Sequence, residues 1–375
     1  MKDERVGLPP PEWGPVCYSN GVEAAMGTLY LTEQYSIVKR EGEALLVEIP
    51  GDKEQNRERR KVRVPLIRVD HVVIFGEITL TASVIQLLLE RRISIHYLTA
   101  HGRSCGSIAP DPSKNALLRI AQHRAHADHR QRFELARRFI TGKLRNMRTI
   151  LMRYERKREQ GEAGEAAEHI KAVLRDLQRL RPRETVDPDD RMHGLGELIG
   201  CEGAGSGAYF RAFGTLLQEP WSFSKRLRRP PRDPVNALLS LGYVILTKQA
   251  ASLINIVGLD PYIGYLHSPG FGKPALALDI IEEFRPLVID PVVISMLNTG
   301  AFQESDFHSE PGSVRLSDGA RKRFLEKIEE RLNTTIQHPY FGYKTSYRRC
   351  IELQVRLLGK ALLGEVPEYI PFIVR

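Results

Sequence analysis

The chain has 375 residues, with 55 Lys and Arg against 46 Asp and Glu, for a formal net charge of +9. At 42% hydrophobic and 27% charged residues it has a globular composition, which excludes disorder throughout; its length excludes a small scaffold held by disulfides or structural metal. No run approaches the ~20 apolar residues that span a bilayer. The start, MKDERVGLPPPEW, lacks the apolar core of a secretory signal, and Cys17, Cys105, Cys201 and Cys350 form no C-x-x-C pair. A cytoplasmic chain of two or three domains is expected, without membrane contact and with reduced, mostly buried thiols.

Residues 1–24 are Pro-rich and aperiodic, and are read as an N-terminal extension. From Gly27 to Pro50 the segments GTLYL, YSIVKR and ALLVEI alternate as strands, with a turn at Glu41-Gly42-Glu43. A polar loop fills 51–61, and VRVPLIRVDHVVIFG adds two short β-branched runs. Thr79 to Arg91 is a predicted helix with Thr79 or Thr81 as its cap, and ISIHYLT (93–99) is a strand closed by the turn His101-Gly102-Arg103. Two prolines in Ala109-Pro110-Asp111-Pro112 stop regular structure. Beyond them the apolar period changes from two to about 3.6.

The predicted fold is α+β: a small β-rich, sandwich-like domain over 25–109, then a larger all-helical domain over 113–375. Pro234 opens a long helix with Val235, Leu238, Leu239, Gly242, Ile245, Leu246, Gln249 and Leu253 on one face. Leu316–Leu332 and Tyr347–Leu363 are two more amphipathic helices. Glu159–Glu168 is a helical hairpin or a loop, and Pro182–Asp190 a second loop.

The charge is uneven. Lys114 to Arg183 holds 19 Lys and Arg against 8 Asp and Glu, a local balance of +11, so the remainder is slightly acidic. Phe133, Ala136, Ile140, Leu144, Met147 and Leu151 form a helical apolar stripe. Arg124, Arg130, Arg132, Arg137, Arg138, Arg145 and Arg148 fall mainly off it. Guanidinium offers planar, bidentate donors to phosphate, so this face is either a nucleic-acid contact or a solvated charged surface.

Three segments concentrate reactive groups. Glu202 stands among small residues in GCEGAGSGAYF (200–210), where a ligand can approach closely; no Lys follows in the manner of a nucleotide P-loop. His267 precedes the turn Ser-Pro-Gly-Phe-Gly-Lys273. In LALDIIEEFRP (276–286), Asp279, Glu282 and Glu283 share a helix face at i, i+3 and i+4, with Arg285 as a competing ion-pair partner. Carboxylates with one imidazole suit Mg2+ or Mn2+, and such an ion beside a phosphate polarises it. His123, His126 and His129 imitate a metal spacing, but Arg124 and Arg130 beside them disfavour a cation, so they read as a polar helix face.

Taken in order, GCEGAGSGAYF, DPVNALLSLGY (233–243), YLH (265–267) and LALDIIEEFRP resemble the CRISPR-associated integrase/endonuclease of spacer acquisition. RRISIHYLTAHGR (91–103) is similar to that family's N-terminal strand-and-turn segment, and the resemblance covers about 27–365. It implies an N-terminal dimerisation domain and a helical catalytic domain. It implies Glu202, His267 and Glu282 as catalytic metal ligands for Mn2+ or Mg2+, with Asp279 assisting or binding a second ion. Spacing alone leaves Glu283 open; the family's D-x-x-E-x-F-R pattern favours Glu282. It further implies double-stranded DNA as substrate, a homodimer, and a small partner protein that bridges dimers.

The expected reaction is attack of a fragment's 3′-OH on a repeat phosphodiester, with Arg124, Arg130, Arg137, Arg138, Arg145, Lys273 and Arg285 as candidate DNA contacts. Two alternatives stand beside it. One is a metal-dependent, structure-specific repair nuclease. The other is a non-enzymatic basic scaffold whose carboxylates sit in structural ion pairs.

Overall fold

The computed structural model describes residues 22–24, 27–51, 58–111, 113, 115–156, 161–184, 194–227 and 230–375. Cys17, Lys114, Pro112, nearly all of the N-terminal extension and parts of the loops at 51–61, 159–168 and 182–190 lie outside the described residues.

The strand-rich part runs β1 (Val22–Ala24), β2 (Gly27–Leu31), β3 (Ile37–Glu41), β4 (Ala44–Ile49), β5 (Arg60–Pro65), β6 (Val69–Phe75), β7 (Thr79–Leu80), α1 (Ala82–Glu90), β8 (Ser94–Leu98) and β9 (Ser104–Ile108). One sheet has the order β1-β2-β6-β8-β9, with parallel β2-β6 and β6-β8 pairs at its centre and antiparallel edges. The other has the order β5-β4-β3-β7. Gly42 makes the tight turn between β3 and β4 with φ of 60°.

Period-two alternation divides the first sheet between two cores. Leu29, Leu31, Val72 and Ile74 join Val38, Leu45, Val47, Val84 and Leu88 in a core shared by both sheets and α1. Tyr30, Val73, Phe75 and Leu98 face the other way and belong to the helical core. Burial on both faces explains why β6, VDHVVIF, reads as a nearly unbroken apolar run. Buried polar bonds cross the same seam. The Tyr30 hydroxyl donates to Glu329 at 2.8 Å, and Gln249 and Arg348 each donate to Thr28 at 3.2 Å.

The helical part comprises α2 (Ala116–Ala127), α3 (His129–Glu155), α4 (Glu162–Arg179), α5 (Gly196–Thr215), α6 (Pro234–Val257), α7 (Ala275–Glu282) and α8 (Arg285–Asn298), then β10 (Phe307–Glu310), β11 (Ser313–Leu316), α9 (Asp318–Asn333), β12 (Thr335–Gln337), β13 (Lys344–Ser346) and α10 (Tyr347–Leu362). The expectation of an all-helical region is thus corrected by two antiparallel strand pairs, β10-β11 and β12-β13. Their strands are three or four residues long and mostly polar, too short to display an alternation.

Helix α6 begins where Pro234 placed it. Asp233 caps it, accepting from the Asn236 N–H at 2.7 Å, and Gly258 ends it in the left-handed region at φ of 105°. Among the described residues it is the one helix long and apolar enough to cross a membrane, and it is mostly buried as a core helix. Asp128 breaks the basic segment into two helices by accepting from the N–H groups of Arg130 and Gln131, so the three histidines do not share one helix.

Residues 369–374 pack as an extended segment against α3. Asn146 donates to the Phe372 carbonyl at 2.7 Å and accepts from the Val374 N–H at 3.0 Å. The thiols depart from expectation: Cys350 is buried, Cys201 half-buried and Cys105 exposed, because β9 is an edge strand.

Candidate active site

Three segments bring the acidic and imidazole residues together. Glu202 lies in the second turn of α5, while Asp279 and Glu282 lie one turn apart on α7. His267 sits in the loop between α6 and α7. Gly264 lets that loop close on α7, since a Cβ there would stand 2.7 Å from both the Ala275 carbonyl carbon and Asp279 Oδ2. The neighbours Gly200 and Gly203 have open space where a Cβ would project, so α5 presents backbone rather than bulk beside Glu202. Gly205 instead admits α3, with Leu144 in the space a side chain would fill.

Asp279 is fully buried and organises the loop. It accepts the backbone N–H groups of Tyr265 at 2.6 Å, Leu266 at 3.1 Å and His267 at 2.9 Å. His267 Nδ1 lies 2.7 Å from the same carboxylate. A carboxylate oxygen accepts, so Nδ1 carries a proton and Nε2 is the ring nitrogen turned toward Glu282. Nε2 faces Glu282 Oε1 at 3.8 Å, and the His267 side chain is 22% exposed, open to solvent from one side.

Lys143 of α3 completes the cluster. Its side chain is 4% exposed, and its ammonium donates to Glu202 and lies 2.8 Å from Glu282 Oε2. Arg285 donates to Glu282 Oε1 at 2.6 Å, and its guanidinium stacks over the Tyr243 ring at 4.9 Å. Tyr243 in turn donates to the buried Asp290 at 2.7 Å. Ser206, one turn along α5, donates to Glu202 at 2.8 Å. Burial alone would raise both glutamates. The Lys143 ammonium holds Glu202 below the usual carboxylate range, while Arg285, Lys143 and His267 hold Glu282 well below it. Burial also opposes the charge of Lys143, yet Glu282 and Glu202 raise its pKa. The cluster sets the Glu202 and Glu282 carboxylates against the Lys143 and Arg285 cations, with Asp279 holding His267 beside them.

The donors are carboxylate oxygens and one imidazole nitrogen, a set suited to Mg2+ or Mn2+. Among the described residues no three such side chains already converge as a metal cage. The physical reason is Lys143, whose ammonium stands between Glu202 and Glu282. The donor chemistry fits nonetheless. The Lys143 ammonium is the partner of the buried Glu282 Oε2, a place a cation already takes, and a carboxylate orients His267, an arrangement common behind metal-binding imidazoles.

The family profile for CRISPR associated protein Cas1 matches residues 29–330. The chain belongs to the Cas1 family. It is 38% identical over 350 residues to the CRISPR-associated endonuclease Cas1 3 of Thermus thermophilus, covering 93% of this chain and 98% of that one. It is 32% identical to the CRISPR-associated endonuclease Cas1 1 of Moorella thermoacetica, covering 93% and 99%. Among solved structures it resembles a casposase bound to integration product, with a TM-score of 0.79 at 25% identity over 92% of each chain. A Cas1 protein from Thermotoga maritima superposes with a TM-score of 0.73 at 25% identity, over 91% of this chain and 97% of that one. As a Cas1 protein the chain is an enzyme of the DNA endonuclease/integrase class in CRISPR adaptation.

Against this Cas1 fold the other candidate residues sort clearly. Glu283, left open by spacing, points away from the cluster. It is fully buried, accepts from Tyr369 at 2.8 Å and from the Phe372 N–H at 2.7 Å, and burial without a cation pushes it up to about 8. Arg285 is a buried ion-pair partner rather than an open phosphate donor. Arg137 pairs with Glu134, and Arg138 with Glu368 and the Tyr369 carbonyl, so both are half-buried ties within the fold. Arg132 is buried and donates to the Tyr265 carbonyl at 3.1 Å, bracing the His267 loop. Arg124, Arg130 and Arg145 are exposed, and Lys273 is half-exposed after a Gly270–Lys273 turn. His126 binds the Gly264 carbonyl at 2.6 Å and His129 the Arg183 carbonyl at 3.0 Å, so they pin loops and gather no metal site.

Sequence reasoning missed Lys143. It lies three residues after Ile140 and four before Met147, in register with the apolar stripe, and a lysine on that face must be buried with a partner.

Proposed function

We propose that this Cas1 protein inserts short double-stranded DNA fragments into a CRISPR repeat array, by attack of a fragment's 3′-OH on a repeat phosphodiester. One observation carries the reading: from three separate segments, Glu202 and Glu282 share the Lys143 ammonium, and the Asp279-oriented His267 turns its Nε2 to Glu282 at 3.8 Å. We assign Glu202, His267 and Glu282 to hold Mn2+ or Mg2+, with Asp279 positioning His267. When bound, the ion supplies charge stabilisation for the phosphoryl group and its leaving oxygen. The protein's own residues align the reactants. Asp279 keeps the proton on Nδ1, Arg285 and Tyr243 fix Glu282, and Ser206 orients Glu202. The transfer breaks one phosphodiester and makes another, so no nucleotide is consumed. With water as the attacking group the same site hydrolyses DNA.

Exposed Arg124, Arg130, Arg145 and half-exposed Lys273 are assigned to phosphate contact, which positions without specifying sequence. The resemblance further supports a homodimer formed through the strand-rich part, a boundary at 110–112, a small bridging partner protein and a cytoplasmic location. The scaffold alternative gains from the Lys143 and Arg285 ion pairs, which are what it requires. It leaves the carboxylate-held imidazole at a solvent edge without a purpose.

The test uses a labelled 3′-OH fragment and a supercoiled repeat plasmid. Glu202→Ala and His267→Ala are expected to abolish strand joining while far-UV circular dichroism and DNA affinity persist. Full joining by purified Glu202→Ala overturns the assignment, and cleavage without joining by the parent favours the repair nuclease.

A further inference from the structure

A cavity of about 380 Å³ opens between α3, α4 and the extended segment at 373, and its charge is one-sided. Arg145 and Arg148 reach it from α3, and Lys171 and Arg175 from α4, with Gln178 as a neutral donor. No carboxylate lines it. The nearby acid is Glu168, which lies 3.3 Å from Arg148 and 2.8 Å from Lys171, leaving the four cations well in excess. Arg148 Nε is buried without a hydrogen-bond partner. Four cations facing one another across a helix–helix groove repel unless an anion lies between them. Guanidinium pairs with planar forks select phosphate oxygens over a simple halide.

The cavity shares no lining residue with the cluster at Glu202. Lys143 points to that cluster, and Arg145 lies two residues on, about 200° around the helix. We propose that the α3–α4 groove is a second anchoring site for nucleic-acid phosphodiesters, on the face of α3 opposite the reacting centre. The sequence pointed to a basic face on α3; the groove adds Lys171 and Arg175 from another helix and excludes Arg137 and Arg138, which are tied to Glu134 and Glu368. Strand transfer involves two DNA molecules, and a distal anchor holds one backbone without crowding the reacting phosphate.

The experiment measures binding of a fluorescein-labelled duplex by anisotropy against salt, in EDTA, so that the reacting site contributes no metal effect. The variants are Arg145→Glu/Arg175→Glu and, for matched net charge, Arg68→Glu/Arg103→Glu; all four side chains are exposed. The groove variant is expected to lose affinity on the order of tenfold and to flatten the salt slope by about 2, one unit per lost phosphate contact. The matched control should lose much less. Equal losses in both variants overturn the proposal in favour of bulk charge. An unchanged duplex affinity overturns it too: loss of inorganic phosphate binding would then assign the groove to a free anion, and loss of binding to a poly-glutamate peptide to an acidic protein segment. Circular dichroism and thermal melts confirm that each variant is folded before its affinity is read.

Discussion

Replacing Lys143 by Met keeps most of the side-chain volume and removes the ammonium between Glu202 and Glu282. The structure sets the size of the effect. At 2.8 Å from Glu282, one such pair is worth about 6 kcal/mol at an effective dielectric of 20. Arg285 still holds Glu282 at 2.6 Å, and Glu202 keeps 23% of its side chain exposed, so part of the charge stays compensated. Breaking a buried pair from one side typically costs about 3–5 kcal/mol, and the lower end is expected here. For 375 residues the unfolding entropy is about 0.8 kcal/mol/K, so the midpoint falls by roughly 4 °C. Melts in EDTA at pH 7 read this directly. Both glutamates titrate below the usual range in the fold, so their stabilisation is present at neutral pH and lost as pH falls. The difference between parent and Lys143→Met should therefore shrink on acidification, as protonated glutamates no longer require the ammonium. Mn2+ should stabilise the variant by about 2.7 kcal/mol at a hundredfold excess over its Kd, and the parent by less at the same concentration. A variant that melts within 1 °C of the parent in EDTA refutes the charge balance; an equal Mn2+ shift in both proteins refutes competition between ammonium and metal.

Asp279→Asn removes the charge that accepts three N–H groups and the imidazole proton. It should lower strand joining about 10–100-fold, as expected for loss of a group orienting a metal-binding imidazole, with joining assayed beside the Mn2+ midpoint. Glu283 bears on stability instead. Its carboxyl, raised to about 8, is protonated in the fold across a range where the unfolded chain is ionised. Stability should fall as pH rises toward 8, by a few kcal/mol in all, and then level off above it. Glu283→Gln should flatten that slope in urea titrations from pH 5 to 9, and an unchanged slope would assign it to other groups.

What was legible in the sequence followed from periodicity and caps. Strands β2, β3, β4, β6 and β8 alternate or run apolar, and α6 carries Asp233, Pro234 and Gly258 at its ends. Glu202, His267 and the Asp279–Glu283 segment stood out because reactive residues in apolar or small-residue surroundings are conspicuous, and only the family resemblance favoured Glu282. The remainder depended on partners far away in sequence. Whether Glu282 or Glu283 faced the cluster was decided by Tyr369 and Phe372, which claim Glu283 from the other side. Arg138 read as an open phosphate donor until Glu368 occupied it. Strand β9, SCGSI, has no apolar alternation, because an edge strand exposes both faces. Lys143 was readable in principle, but its position on the stripe was masked by the many cations around it.

The segment at 369–374 has a consequence for how the protein is made. Asn146, three residues beyond Lys143 on α3, takes its hydrogen bonds from residues 226 and 228 positions downstream, and Glu283 takes one from 89 positions downstream. During synthesis α3 emerges long before the extended segment that secures it. An unfinished chain that stops before Tyr369 leaves Glu283 and Asn146 with buried polar groups unpaired, each costing about 1–3 kcal/mol. Nascent chains therefore carry Lys143 and Glu202 on an unsecured frame. The frame around the site is complete only once residues 369–374 have been made.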